Sequence, residues 1–292
     1  MQRHNQITGH IMALITVFIW GATFVASDFL LDHYTSAQVL LLRFMLGYLM
    51  LWVIKPKFWK PDSLRTELEI LMLSVFGVLV YYLLETKSIE YGGATVSSIL
   101  ISTAPMWTLV GLCMTGSLAL RLHHFLGFLL AIGGVVLVIF NGAAITFSAS
   151  VATLLYCVGS CICWVIYTLL LCRLADLDSI FLTRRMLFYT LIIMLPIMAF
   201  QGQIPSFSYL AEPENWISLG ILGILGSGFC YIWWKNAVAQ IGAVITTNYI
   251  YLIPFITILV AVLLGRDVFS LSAVIGTVLI LVGILISNRD AA

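Results

Sequence analysis

The chain has 292 residues, of which 62% are hydrophobic and only 9% charged, with a formal net charge of +1 at pH 7. An average soluble domain carries roughly 25% charged residues, so most of this surface must face lipid rather than water. The near-neutral balance gives no basic surface for nucleic acid, and no nucleic-acid partner is expected.

The first ten residues, Met1–His10, carry Arg3 and lead into an apolar run that reaches Asp28. The length of that run, and the further runs behind it, argue for a retained helix rather than a cleaved signal peptide. A helix needs about 20 apolar residues to cross the hydrocarbon core. Such runs recur at 9–31, 37–54, 68–90, 94–118, 124–141, 150–172, 180–200, 215–238, 243–264 and 270–288. The sixth and seventh are parted by Arg173, Asp176 and Asp178, and the third and fourth meet at Gly92-Gly93 as a tight antiparallel hairpin. Only two connections are long: 55–66, with Pro56 and Pro61, and 201–215, with Pro205 and Pro213.

Loop charge sets the orientation. With the N-terminus inside, Arg3, Lys55, Lys57, Lys60, Arg65, Arg121, Arg173, Arg184, Arg185 and Arg289 fall on the cytoplasmic side, against Lys87 and Arg266 outside. The expectation is an all-α membrane protein of ten transmembrane helices in the plasma (inner) membrane, with both termini cytoplasmic.

Sliding the chain on itself by 149 positions places Gly77 on Gly226, Tyr82 on Tyr231, Gly93-Ala94 on Gly242-Ala243 and Pro105 on Pro254. Thr108 then meets Thr257, Gly116 meets Gly265, Gly127 meets Gly276 and Gly134 meets Gly283. The first two helices match at a slightly different offset, Trp20 with Trp164 and Arg43 with Arg184 or Arg185. The chain therefore divides into two five-helix repeats, 1–146 and 147–292. An odd number of helices makes the second copy enter from the opposite side, the inverted repeat that many transporters use for alternating access.

Trp20-Gly21-Ala22-Thr23-Phe24, Leu42-Arg43-Phe44, and the twin Gly-Ala pairs followed eleven residues later by Pro105 and Pro254 resemble an EamA-type member of the drug/metabolite transporter superfamily. The resemblance covers essentially the whole chain. It implies ten helices, a central cavity between the repeats, and export or exchange of amino acids or related metabolites. The family often ends its fourth and ninth helices in Gly-Glu. Here those places read Gly116-Ser117 and Gly265-Arg266-Asp267, and the third helix carries Glu85 and Lys87.

A charge inside the membrane costs at least about 2.5–3.5 kcal/mol, so it tends to face a cavity or a partner. Glu85 shares a helix face with Tyr81 and Tyr82 and reads as a carboxylate for a substrate amine or a proton. The alternative is a carboxylate near the outer interface, paired with Lys87 or hydrated. Trp20 and Trp164 lie deep in their helices, where an indole N–H needs a partner; Thr23 follows Trp20, and Tyr167 follows Trp164, on the same stripe. With Tyr231 and Asn248 these residues are expected to line a midplane substrate site, and Asn248 is the likelier member of its polar stretch, Thr246-Thr247-Asn248, because an amide in hydrocarbon needs several partners. Lys235 reads as snorkelling to the headgroups, and Arg43 with Arg184 and Arg185 as structural anchors. Pro105 and Pro254 are expected mid-helix, where each removes a helical hydrogen bond and makes either a natural flex point or a static kink.

The six cysteines, Cys113, Cys157, Cys161, Cys163, Cys172 and Cys230, sit in or beside apolar runs with neither paired CxxC motifs nor a His at ligand spacing. They read as small buried hydrophobes, and neither metal nor cofactor is expected. No nucleotide-binding GxxxxGK[ST] loop is present, so the drive must come from a gradient, H+ included, or from the substrate itself. His10, His33, His123 and His124 lie at span ends or loops, His4 lies in the tail, and no Gly-x-Ser-x-Gly or His-Glu-x-x-His occurs; an enzyme is not expected. The leading expectation is a secondary transporter of a small polar metabolite. Proton-coupled efflux of organic cations, with Glu85 as the coupling carboxylate, is the runner-up. A non-transporting receptor or scaffold has no need of an inverted repeat. The oligomeric state stays open, because glycines that could pair subunits are equally needed inside the bundle.

Overall fold

Helix α1, Gln2–Leu31, gives way after a short turn to α2, Ser36–Ile54. Thr35 starts α2 with a reciprocal cap, its hydroxyl taking the Gln38 N–H while the Gln38 side chain takes the Thr35 N–H. Such a cap contributes about 1 kcal/mol. The computed structural model describes residues 2–59, 63–116, 121–139, 151–206, 208–265 and 271–287. Ser117, Arg266 and Asp267, the departures from the family's helix ends, lie outside the described residues, as do Lys60, Arg289 and the junction between the two expected repeats.

Every described element is a helix. After α2 come α3, Leu64–Ser74, a π-helical stretch Val75–Val80, and α4, Tyr81–Ile101; then α5, Ala104–Met114, and α6, Leu122–Ile139. The second half runs through α7, Val151–Arg173, and α8, Ser179–Phe200, to α9, Pro213–Gly220. A second π-helical stretch, Ile221–Phe229, leads into α10, Cys230–Ile241. There follow α11, Ala243–Asn248, a 3₁₀ turn Tyr249–Leu252, α12, Ile253–Leu263, and α13, Leu271–Ser287.

Seven described helical stretches are long and apolar enough to cross a membrane: Gln6–Leu31, Ser36–Ile54, Leu64–Ile101, Val151–Arg173, Ser179–Phe200, Pro213–Ile241 and Ala243–Leu263. Ala104–Met114 and Leu122–Gly134 are shorter apolar helices. Outward-facing Val53, Met114, Leu155 and Phe200 are among the exposed apolar side chains. Exposed apolar surface on this scale suits lipid rather than water.

Where the sequence predicts a hairpin at Gly92-Gly93, the backbone runs through α4 with one break. Gly93 has φ 77° and ψ 165°, and Gly242, between α10 and α11, has φ 81° and ψ 159°. Glycine alone populates that region freely. Pro105 and Pro254 are placed differently from the mid-helix expectation. Each stands in the first turn of a helix, α5 or α12, behind a turn at Ser102-Thr103 or the 3₁₀ stretch. There a proline forfeits no helical hydrogen bond.

Two kinds of close approach tie the bundle together. Along α6 and α13 backbones touch: a β-carbon on Gly134 would lie 2.4 Å from the Gly276 carbonyl oxygen, and one on Gly127 would lie 2.5 Å from that of Gly283. Small residues allow such contact, and dispersion over the seam then holds the pair. At the centre, Gly77 and Gly226 lie within the two π-helical stretches. A π-helical turn frees backbone carbonyls from the regular ladder. The Gly77 carbonyl accepts the Tyr231 hydroxyl at 2.7 Å, and the Gly226 carbonyl accepts the Trp20 indole N–H at 3.3 Å.

Candidate functional site

Four helices bring aromatic rings to the middle of the bundle. Trp20 comes from α1, Tyr81 and Tyr82 from α4, Trp164 and Tyr167 from α7, and Tyr231 and Trp234 from α10. Trp20 meets Trp164 edge-on with centroids 5.4 Å apart and Trp234 at 4.8 Å. Trp164 meets Tyr81 at 5.3 Å and Tyr167 at 5.0 Å, and Tyr167 meets Tyr231 at 5.9 Å. Each such pair contributes about 0.5–1.5 kcal/mol beyond its buried area. The indole N–H groups of Trp164 and Trp234 are buried and have no hydrogen-bond partner among the described residues.

A small cavity opens inside this box, lined by Trp20, Thr23, Tyr81, Tyr82, Glu85 and Trp164 together with Phe24 and Ile253. Glu85 is 4% exposed and interacts with the Tyr81 hydroxyl and with the Arg43 guanidinium. Lys87 pairs instead with Glu90 at 2.8 Å, where Glu90 also accepts the Ser36 hydroxyl at 2.5 Å. The interfacial Glu85–Lys87 pair is therefore not formed. Thr23 donates its hydroxyl to the Trp20 carbonyl at 2.7 Å, which presents its methyl group to the π-helical backbone at Gly226.

Arg43, expected to anchor helix ends, lies fully buried beside this cavity. Its guanidinium stands 4.0 Å over the Tyr82 ring, and its Nε donates to Ser227 Oγ at 2.9 Å. Nη1 and Nη2 are buried with no hydrogen-bond partner among the described residues.

Contacts tie the connections together at both ends of the bundle. At the end of α1, the Tyr34 hydroxyl donates to the Ser206 carbonyl at 2.9 Å and Gln38 donates to the Gln203 carbonyl at 3.3 Å. His33 stacks on Tyr209 with centroids 5.0 Å apart. At the opposite end, Lys55 pairs with Asp178 at 2.8 Å. Burial alone would raise the Asp178 carboxyl, but the Lys55 ammonium and the N–H groups of Phe181 and Ile180 outweigh it and hold it below the usual range. Arg184 donates to the carbonyls of Lys55, at 2.5 Å, and Lys57. Lys235 donates to the carbonyls of Ala175, at 2.6 Å, and Leu177. Lys235 is 5% exposed, so it clamps the α7–α8 connection rather than snorkelling to headgroups.

Eight of the nine sequence-predicted site residues thus converge, six on the cavity wall and Tyr167 and Tyr231 directly behind it. Asn248 does not join them. It lines a separate small cavity with Pro105, Thr108, His124, Tyr251 and Ser287, and donates to Ser287 Oγ at 3.4 Å. Trp234 and Ser227 were missed. Trp234 carries a readable signal, because the 149-residue offset places it on Glu85.

The EamA-like transporter family matches the chain twice, over residues 7–140 and 151–289. An uncharacterized transporter of Archaeoglobus fulgidus is 25% identical over 288 residues, 96% of each chain. The uncharacterized transporter YyaM of Bacillus subtilis is 22% identical, over 96% of this chain and 93% of its own. A solved crystal structure of a protein 15% identical to this chain has the same fold, with a TM-score of 0.72 over 99% of this chain and 98% of that one.

Proposed function

Since the chain belongs to the EamA-like transporter family and is a multi-pass membrane protein, we propose that it is a secondary transporter moving a small polar metabolite by alternating access. Amino acids or related compounds are the substrate class, in export or exchange. The observation that carries this reading is one buried carboxylate, Glu85, in an aromatic box built from both family-matched segments.

Ten spans underlie the mechanism. The stretch Leu64–Ile101 has 38 residues and would extend about 57 Å at 1.5 Å per residue. That is nearly twice a hydrocarbon core of about 30 Å, so the break at Gly93 divides it into two spans. The second of these continues through α5, and α6 completes a unit of five. The α7 to α13 segment repeats the pattern with its own π-helical stretch, positive-φ glycine and proline. The seam supports inversion: exchanging Gly127 with Gly276 and Gly134 with Gly283 turns the contact 127–283 into 276–134. Both termini then face the cytoplasm, as loop charge requires.

The aromatic residues Trp20, Tyr81, Tyr82, Trp164, Tyr167 and Tyr231, with Thr23, hold the substrate body. Asn248 contributes from the neighbouring cavity, and Pro105 and Pro254 sit at breaks where the halves flex. Glu85 takes a substrate ammonium or a proton in turn, which couples the two. The aromatic lining around a carboxylate also suits organic cations, which keeps proton-coupled cation efflux as a second reading.

The test is counterflow in proteoliposomes with labelled amino acids and organic cations, with and without a pH gradient. Glu85→Gln is expected to remove the response to the gradient while exchange persists. Exchange identical to the parent at every pH would sink the assignment of Glu85. A panel on which only cations move would replace the amino-acid reading with the second one.

A further inference from the structure

The buried Arg43 guanidinium has donors to spare, and its surroundings say for what. Nε is held by Ser227, while Nη1 and Nη2 have no partner among the described residues. A guanidinium presents a rigid fork of donors whose geometry matches a carboxylate. A position on Gly226 where a β-carbon would sit is 3.5 Å from Arg43 Nη2 and 2.9 Å from Thr23 Cγ2. The fork is therefore a neighbour, through Gly226, of Thr23, which lines the central cavity.

Glu85 lines the same cavity as Thr23. Tyr82 touches both neighbourhoods, carrying Arg43 on its ring face and lining the cavity with Glu85. Among the described residues Glu85 has no ion-pair partner within 4.0 Å. A structural pair in low dielectric would close to contact, because only close, well-formed hydrogen bonds repay desolvation. Here both groups are buried, of opposite sign, and more than 4.0 Å apart.

We infer that Arg43 is the carboxylate subsite of a zwitterionic ligand whose ammonium faces Glu85, so that the site selects free α-amino acids over their one-charge relatives. This rests on the amino-acid reading above and adds to it a residue, a polarity and a selectivity. A ligand carrying both charges partners both sites. An amine without a carboxylate leaves the Arg43 fork buried and unpaired, and an N-acylated acid leaves Glu85 so. Sites built to bond a polar group reject analogues that lack it far more strongly than they reject a missing methylene.

The experiment is counterflow with labelled amino acids in proteoliposomes, competed by each amino acid, its decarboxylated amine and its N-acetyl derivative. The parent is expected to favour the free amino acid over both competitors by about ten- to a hundredfold, the value of one charge-assisted contact. Arg43→Gln should bring the amino acid down to the level of its amine without weakening the amine. Arg43→Lys should restore part of the preference. Ser227→Ala leaves the charge in place and frees Nε, and should lower the preference severalfold; it answers the question if Arg43→Gln does not fold. Undiminished preference for the amino acid in folded Arg43→Gln, or in Ser227→Ala and Arg43→Lys together, overturns the inference and leaves the amino-acid reading standing. A parent that moves amines and no amino acids, or moves nothing on the panel, overturns that reading and the inference with it.

Discussion

The centre of the bundle and the end that carries Lys55, Asp178 and Lys235 bury cations in opposite ways. At the end, Arg184 and Lys235 spend their donors on backbone carbonyls of the 55–57 and 175–177 connections. Arg184 also lies 4.0 Å over the Trp52 ring. At the centre, Arg43 is at least as deeply buried, yet two of its three nitrogens have no partner among the described residues. A buried donor without a partner costs about 1–3 kcal/mol. The first arrangement holds the fold together, and the second keeps donors ready for something else. Sites that work on ligands regularly give up stability in this way.

The comparison breaks most visibly in stability. Arg184→Met leaves two carbonyls without their charged donor and removes cation–π contacts with Trp52 and Phe181, and is expected to cost about 2–4 kcal/mol. Lys235→Met, which also frees two carbonyls but loses no ring contact, should cost about 1.5–3 kcal/mol. Arg43→Met loses the Ser227 bond and the Tyr82 contact but also relieves two unpartnered donors, so its net cost should stay below about 1 kcal/mol. Thermal unfolding of the purified variants in one detergent measures all three. If Arg43→Met proves the most destabilising, the central arginine is a structural clamp after all, and the contrast between the two regions disappears.

Much of the site was legible because depth and repeat offset are sequence properties. Trp20 and Trp164 lie far from the span ends, Tyr82 falls on Tyr231, and Glu85 follows Tyr81 and Tyr82 on one helix face. These rings do meet. What the sequence lacks is azimuth and partners. Asn248 has the same depth signal, but it ends the short helix α11 where a 3₁₀ turn begins. A 3₁₀ turn advances side chains by a different angle from an α-helix, and Asn248 faces Ser287 instead of the tyrosines. Arg43 and Arg184 look alike as buried basic residues two helices from a repeat start. Only the carbonyls around one, and the bare surroundings of the other, tell them apart. The prolines were visible as breaks, yet their place at the start of α5 and α12 depends on turns that no residue pattern announces.

The smallest expected effect tests the clamp at its exposed rim. Asp178 caps α8 through the N–H groups of Ile180 and Phe181 and pairs with Lys55. Its side chain is 44% exposed and that of Lys55 is 31% exposed, so solvent screens the pair and its contribution stays below about 1 kcal/mol. Because the folded carboxyl titrates below its ordinary value near 3.8, this contribution is complete above that pH. It fades as the pH falls through the depressed folded value. Asp178→Asn keeps a capping oxygen and removes the charge. The variant should therefore melt slightly below the parent at neutral pH, and the gap should narrow as both are taken below the ordinary carboxyl value near 3.8. A gap that stays constant over that range would assign the loss to the cap and not to Lys55. The stabilising charge at this end would then lie wholly in Arg184 and Lys235, whose carbonyl partners do not titrate.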